Sequence, residues 1–417
     1  DPLWSRGLGD VYKRQGMIRA MATAPAFRST SSRPGRTVLR LALGLAALVA
    51  AAYAATAVME IPPPQQLLRL EVSAPSRRGD LFPVREVAAP AQASALLSRP
   101  LPMPATVPWK GGERPFAEFL PGTATNAFVV LRDGEVAYEW YRPGVDASTR
   151  LSSWSMAKSV VSLLVGQAIA RGEIREDDRL TALLPELAGA GDYDRITLGQ
   201  LLDMASGINV AENYRPYWPF TGTARMYLTR DLPGYVRTHR EMHFVPGSQG
   251  DYRSIDTQLL GMVLTRVTGR PLADLLAERL WRPMGAETAA TWNLDTPGGT
   301  EKAFCCLNAT ARDVARIGQQ VLDAGSSHSV IPPAWVARIA RPPTHPVDGW
   351  GYSAQWWQRD PQGSPDFAAV GIHGQYLYID PARRVVIVKL SDYGENQDEK
   401  ETYDALRAIT GSLPSTP

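Results

Sequence analysis

The chain has 417 residues, 21% of them charged and 44% hydrophobic, with a formal net charge of +2. That balance is ordinary for a globular protein, and the length suits one large domain or two smaller ones. The charge, with no basic stripe carrying interleaved aromatics, argues against a nucleic-acid partner. The only two cysteines, Cys305 and Cys306, are adjacent; neighbours rarely bridge each other and two cannot make a zinc site alone, so both are expected as small buried residues.

Residues 1–16 contain no methionine and fit nothing downstream. They read as a non-native prefix, with the native start at Met17 or Met21. A basic segment with Arg28, Arg33, Arg36 and Arg40 leads into Leu41–Met59, nineteen residues without a charge. Such a run can span a bilayer, and its basic flank predicts a cytoplasmic N-terminus. Ala52-Tyr53-Ala54 resembles a small-x-small cleavage site, so residues 17–60 hold either a cleaved signal or a retained anchor. The length of the run favours the anchor. Both fates export the rest of the chain to the bacterial cell envelope; a core helix of a soluble protein is the plainer alternative.

Residues 61–115 are rich in proline and alanine and read as a linker followed by a lead-in that wraps the domain. The domain proper is expected over 116–412. Ala127–Leu131 and Glu135–Tyr141 flank Asp133-Gly134, a hairpin signal. Leu151–Ile174 holds a nearly uninterrupted apolar run, which predicts a helix buried on most sides, with Gly172 as its C-terminal cap. Shorter helices are expected over Thr197–Met204, Asp256–Thr268, Pro271–Leu280 and Thr310–Leu322. Gln375–Asp380 and Val385–Leu390 read as strands, and Glu399–Ile409 as a closing helix. Strands at both ends with helices between predict an α+β architecture: one antiparallel sheet built from both ends of the domain, with an inserted helical region.

The buried helix opens on Ser155-Met156-Ala157-Lys158. At i and i+3 the hydroxyl and the amine share a face. A serine needs a base to take its proton, and a lysine serves if burial brings its pKa towards neutrality. The free N–H groups of the first turn can stabilise an oxyanion. S-x-x-K is frequent by chance, but lysine is scarce here, six against thirty-eight arginines.

Tyr252 and Ser254 form Tyr-x-Ser before the helix at Asp256. A phenol beside Lys158 can pass a proton to a leaving group; a packed tyrosine near a helix start is the plainer reading. Gly371-Ile372-His373-Gly374 opens a strand, where glycine lets the backbone come close to a ligand and a free N–H can join that of Ser155; a structural histidine is the plainer reading of His373. His239 and His243 stand four apart, but H-E-x-x-H is absent, and no metal or cofactor is expected. G-x-S-x-G is absent too, which argues against an α/β-hydrolase. Tyr217, Trp218, Trp356 and Trp357 are candidates for an apolar pocket, or for the core.

Taken together, Ser155–Lys158, Leu201–Ile208 (LLDMASGI), Tyr252-Arg253-Ser254, Asn308–Gly318 (NATARDVARIG), Gly351–Trp357 (GYSAQWW) and Gly371–Pro381 (GIHGQYLYIDP) resemble the serine β-lactamase and penicillin-binding-protein superfamily. They look most like its class C-related branch, with the 6-aminohexanoate-dimer hydrolases and some esterases. The resemblance implies a sheet flanked by helices with the site beside an all-helical region. It implies Ser155 as the acylated serine, Lys158 as its base and Tyr252 as the tyrosine working with that lysine. It implies the Ile372 N–H as second oxyanion donor, or His373 in a shifted register. Tyr214 resembles the tyrosine that contacts the amide in nylon-oligomer hydrolases, and Ser254, His373, Gly374 and Trp356 fall at substrate-binding positions.

One departure stands out. Penicillin-recognising members carry Lys-Thr-Gly beside the site; here the stretch reads Ala369-Val370-Gly371, or His373-Gly374-Gln375, without a lysine. The expected activity is therefore cleavage of a small amide or ester substrate through a Ser155 acyl-enzyme. A cell-wall D,D-peptidase or β-lactamase, and a non-catalytic membrane-tethered binding protein, are the alternatives.

Overall fold

The computed structural model describes residues 34–189, 191–214, 221–394 and 398–414. The expectations for residues 1–16, Tyr217 and Trp218 lie outside the described residues. The chain divides into two compact units, residues 1–52 and 53–417. Helix α1 (Pro34–Val58) is, from Arg36 on, the one described helix long and apolar enough to cross a membrane.

The second unit is built on a seven-stranded antiparallel sheet. Its strands are β1 (Thr125–Arg132), β2 (Glu135–Tyr141), β3 (Gly351–Ser353), β4 (Trp356–Gln358), β5 (Phe367–Gly371), β6 (Gln375–Asp380) and β7 (Val385–Ser391), in spatial order β2-β1-β7-β6-β5-β4-β3. The two ends of the domain meet where β1 pairs with β7. Asp133 and Gly134 both take positive φ, 52° and 84°, as a tight hairpin between right-twisted strands requires.

Successive side chains of a strand point to opposite faces, so each strand feeds two cores. Phe128, Val130, Tyr376, Tyr378 and Ile387 pack under the closing helix, with Tyr403, Leu406 and Ile409. Val129, Leu131, Leu377, Val386 and Val388 face the larger core with the central helices. There lie α3 (Met156–Ala170), ended as expected by Gly172 at φ 71°, and α4 (Ser254–Thr268), ended by Gly269 at φ 66°.

Residues 61–115 are packed, not a free linker. Pro64–Val72 is a helix, α2, and Ile61 and Leu70 are buried with Phe82 and Leu228. Val84–Val87 pairs with Ala290–Asn293, in a small sheet that also holds Leu307–Ala309 and Leu151–Ser152. The proline and alanine content hid the spaced apolar residues that anchor this stretch.

Candidate active site

Leu151–Ser152 pairs antiparallel with Leu307–Ala309, and the Ser153 N–H extends the ladder to the Leu307 carbonyl at 2.8 Å. The chain then turns at Trp154, held at φ 47°, and enters α3. A non-glycine residue in the left-handed region is sparsely populated and persists only where its surroundings hold it. This elbow sets Ser155 at the helix N-cap with its side chain unused for capping.

One turn later, Lys158 is 1% exposed. Its Nζ donates to Ser155 Oγ at 2.9 Å and to the Phe304 carbonyl at 2.8 Å. Burial lowers its pKa to about 8, against the opposing pull of Glu212. Scarcity of lysine is a weaker signal than it looked, because Lys302 and Lys389 are equally buried. Lys302 Nζ bonds the Tyr227 carbonyl and Lys389 Nζ bonds Ser391 Oγ at 2.6 Å, whereas Lys158 alone of the three bonds Ser155.

Tyr252 stacks on Trp357 at 5.2 Å between ring centroids and meets Tyr352 edge-on at 5.9 Å. Its ring lies 5.0 Å from Lys158 Nζ, and it lines the same cleft as Ser155. Burial, reinforced by the charge of Glu212, raises the phenol well above its ordinary pKa, so it carries its proton at neutral pH. The three side chains named from sequence are thus brought together: a serine hydroxyl, a neutralisable amine bonded to it, and a protonated phenol beside the amine.

The turn Gly371–Gly374 runs past the nucleophile. A Cβ on Gly371 would come within 2.7 Å of the Ser153 carbonyl and 3.1 Å of the Ser155 nitrogen, so only glycine lets β5 approach so closely. Ile372 lines both cavities beside Ser155. His373 sits at φ 69°, its Nδ1 3.1 Å from the Tyr393 carbonyl. Burial, then the charge of Arg78, lowers its pKa to about 4, so the ring is neutral. Gly374 lines neither cavity; at φ 80° it shapes the turn.

Ser155 lies where two clefts meet. The first is faced by Trp154, Tyr227, Phe304, Ile372 and leucines; the second by Tyr252, Trp350, Trp357, Glu212, Asp348 and Glu399. Tyr214 borders both. The expectation for Trp356 is corrected: it is fully buried against Phe367, and Trp357 faces the cleft. The strand alternates its faces, and sequence did not say which tryptophan looked inward.

Glu212 was missed. Its carboxylate accepts from Tyr214 Oη and Ser254 Oγ, both at 2.5 Å, from Thr223 Oγ1 at 2.8 Å and from the Ser254 N–H at 2.9 Å. It thereby fixes Tyr214 and the N-terminus of α4, and engages the Ser254 hydroxyl. The only sequence signal was an acidic residue two positions before Tyr214. Because its charge stabilises the Lys158 ammonium, Glu212→Gln is expected to move the acid limb of the pH–rate profile to lower pH. An unmoved limb in kcat/KM measured across pH would refute that coupling.

Cys305 and Cys306 are buried as expected but joined to each other by a disulfide, contrary to expectation. The backbone reverses at Cys306, φ 72°, which brings two side chains to one side that an extended chain would send apart. His239 stacks on Tyr235, and its Nδ1 lies 2.8 Å from that residue's carbonyl. No cluster of three His, Cys, Asp or Glu side chains suited to a metal occurs among the described residues.

The Beta-lactamase family model matches residues 117–411. The 6-aminohexanoate-dimer hydrolase of Paenarthrobacter ureafaciens is 32% identical over 299 residues, which cover 66% of this chain and 74% of that protein. The D-aminopeptidase of Brucella anthropi is 27% identical over 176 residues, 39% of this chain and 32% of that one. Among solved structures, a candidate 6-aminohexanoate-dimer hydrolase from Bacillus anthracis superposes with a TM-score of 0.71 at 25% identity, covering 81% of this chain and 92% of that one.

Proposed function

The chain belongs to the Beta-lactamase family and is a serine hydrolase, and from that premise we propose that it cleaves an amide or ester bond of a small substrate through an acyl-enzyme on Ser155. The observation that carries this reading is the 2.9 Å contact between Ser155 Oγ and the Nζ of a buried lysine, at the junction of two clefts.

Lys158, neutral in an accessible pH range, takes the Ser155 proton as Oγ attacks the carbonyl carbon. The backbone N–H groups of Ser155 and Ile372 hold the oxyanion. Tyr252 gives its proton to the departing nitrogen or oxygen, and the Lys158 ammonium restores it. Water then attacks the acyl-enzyme and loses a proton to the same base, and as the acid departs Lys158 returns that proton to Ser155 Oγ. Tyr214, Ser254 and His373 border the substrate; the relatives' names, both amide hydrolases, favour an amide.

Removal of the phenol tests the acid. Tyr252→Phe is expected to lower kcat by about a hundredfold or more on an amide, as is usual when a general acid is lost. A smaller loss on an ester with a good leaving group would confirm the step, since such a group departs without help. Equal losses on both substrates would point to packing instead.

No lysine lines either cleft among the described residues; the cations there are Arg78 in the first and Arg253, paired with Asp251, in the second, so a carboxylate of the penicillin type lacks the lysine of the Lys-Thr-Gly strand that would hold it. A chromogenic cephalosporin is expected to turn over more slowly than a short p-nitrophenyl ester or the linear 6-aminohexanoate dimer by at least about tenfold, the worth of one charged hydrogen bond. Side-by-side assays decide it, and a preference for the cephalosporin would favour the D,D-peptidase or β-lactamase reading. Residues 41–59 are proposed to hold the enzyme at the membrane with the hydrolase domain exported; fractionation of cells with and without that segment tests this.

A further inference from the structure

The first cleft is not walled by the family domain alone. The family match opens at residue 117, yet Leu67, Leu70 and Arg78 face the same cleft as Ser155. They belong to 59–82, the stretch that follows the apolar helix, and this stretch is fastened to both sides of the nucleophile. Trp154, the residue before Ser155, donates from Nε1 to the Pro75 carbonyl at 3.2 Å. Ser76 donates to the Asp392 carboxylate from its N–H at 2.7 Å and from Oγ at 3.1 Å. The next residue, Tyr393, is bonded through its backbone to His373 in the turn beside the site.

The far end is equally fixed. Arg225 bonds the Met59 carbonyl, and the Arg230 N–H donates to that of Glu60 at 2.8 Å. Asn293 Nδ2 donates to the Gly79 carbonyl at 2.7 Å. Ile61, Leu70 and Phe82 bury against Leu228, while the neighbouring Tyr227 stacks on Trp154 at 5.7 Å. A segment tied at so many points is a built wall, not a tail resting on the surface.

We infer that residues 59–82 form one wall of the acyl subsite, in which Leu67 and Leu70, beside the charged Glu71 and Arg78, are specificity-determining residues that favour an aliphatic acyl chain longer than acetyl. The inference rests on Ser155 as the nucleophile. The assignment of arms follows from the proton donor: Tyr252 faces the second cleft and not the first, so the departing group lies there and the acyl arm turns towards the leucines. An alkyl chain in that cleft exchanges water for leucine and aromatic surface, which contributes at each methylene removed from water.

The test compares kcat/KM for p-nitrophenyl hexanoate and acetate with the full-length chain, Leu67→Trp, Leu70→Ala and Ser155→Ala. Leu67 is half-buried, so tryptophan there narrows the cleft without opening the core. The parent is expected to favour hexanoate. Leu67→Trp is expected to cut the hexanoate-to-acetate ratio by about tenfold or more, with an unchanged thermal unfolding midpoint and full fluorophosphonate labelling of Ser155 as proof of folding. Leu70→Ala is expected to lower the same ratio by removing wall contacts; if it fails to fold, acetate turnover collapses and Leu67→Trp alone decides. A parent that prefers acetate, or a ratio unmoved in Leu67→Trp, overturns the inference. So does an effect of Leu67→Trp seen only when the alcohol half is lengthened. Residual turnover of both esters by Ser155→Ala would instead fell the underlying reading of the nucleophile.

Discussion

Ser155→Ala is expected to lower kcat/KM by a factor on the order of 10^4 or more, and to abolish labelling by a fluorophosphonate. Lys158 Nζ donates to this oxygen from one side, Tyr252 faces the same cleft, and neither neighbouring serine is free to replace it. Ser254 Oγ is engaged by the Glu212 carboxylate at 2.5 Å, and Ser153 Oγ contacts the Trp154 carbonyl at 3.3 Å. The alanine variant keeps the backbone N–H groups, so it should still bind substrate with a similar KM while losing the covalent step. Intact-mass spectrometry of the labelled protein checks the loss directly. Turnover at the parent rate would leave the fold as a binding module and sink the acyl-enzyme.

The second large effect concerns Lys158, and it has a sign in pH. The amine accepts a proton only when neutral, and burial places its pKa at about 8. Below that value the neutral fraction falls tenfold per pH unit, so kcat/KM is expected to drop with unit slope as pH falls through about 8 and to level off above it. Lys158→Ala is expected to lose on the order of 10^2 to 10^4 in kcat, the range for a lost general base. Lys158→Arg separates charge from basicity. Arginine keeps a cation and donors but does not deprotonate, so it should be about as inactive as alanine and show no acid limb at this pH. An arginine variant of near-parent activity would mean that the cation only steadies the oxyanion. Together with the shift predicted for Glu212→Gln, these profiles assign the limb to one amine.

How much of this could be read along the chain depends on the range of the interaction. A helix four turns long shows itself in its own residues: the apolar run after Ser155, and Gly172 and Gly269 at the C-terminal ends. The Asp133-Gly134 hairpin is equally local, because a two-residue turn admits few residues at positive φ. The same holds for the pair Ser155 and Lys158, since one helical turn brings i and i+3 together whatever surrounds them. The ordered set of short motifs extended that reading to Tyr252 and Ile372. With them came the fold class, an antiparallel sheet closed by β1 against β7.

What the sequence left open was decided between segments far apart. Glu212 matters because Ser254, forty-two residues on, comes within 2.5 Å, and no local pattern marks such a meeting. Trp356 and Trp357 are neighbours of one type, and only packing against Phe367 tells which is core and which faces the cleft. The disulfide at Cys305 and Cys306 depends on a reversed backbone that the two letters do not announce. Most of all, the wall supplied by 59–82 follows from contacts such as Ser76 with Asp392, 316 residues apart. Short-range chemistry is written in the chain because helix and turn geometry are the same everywhere. The shape of a cleft is not, because it is the remainder left when distant surfaces have packed.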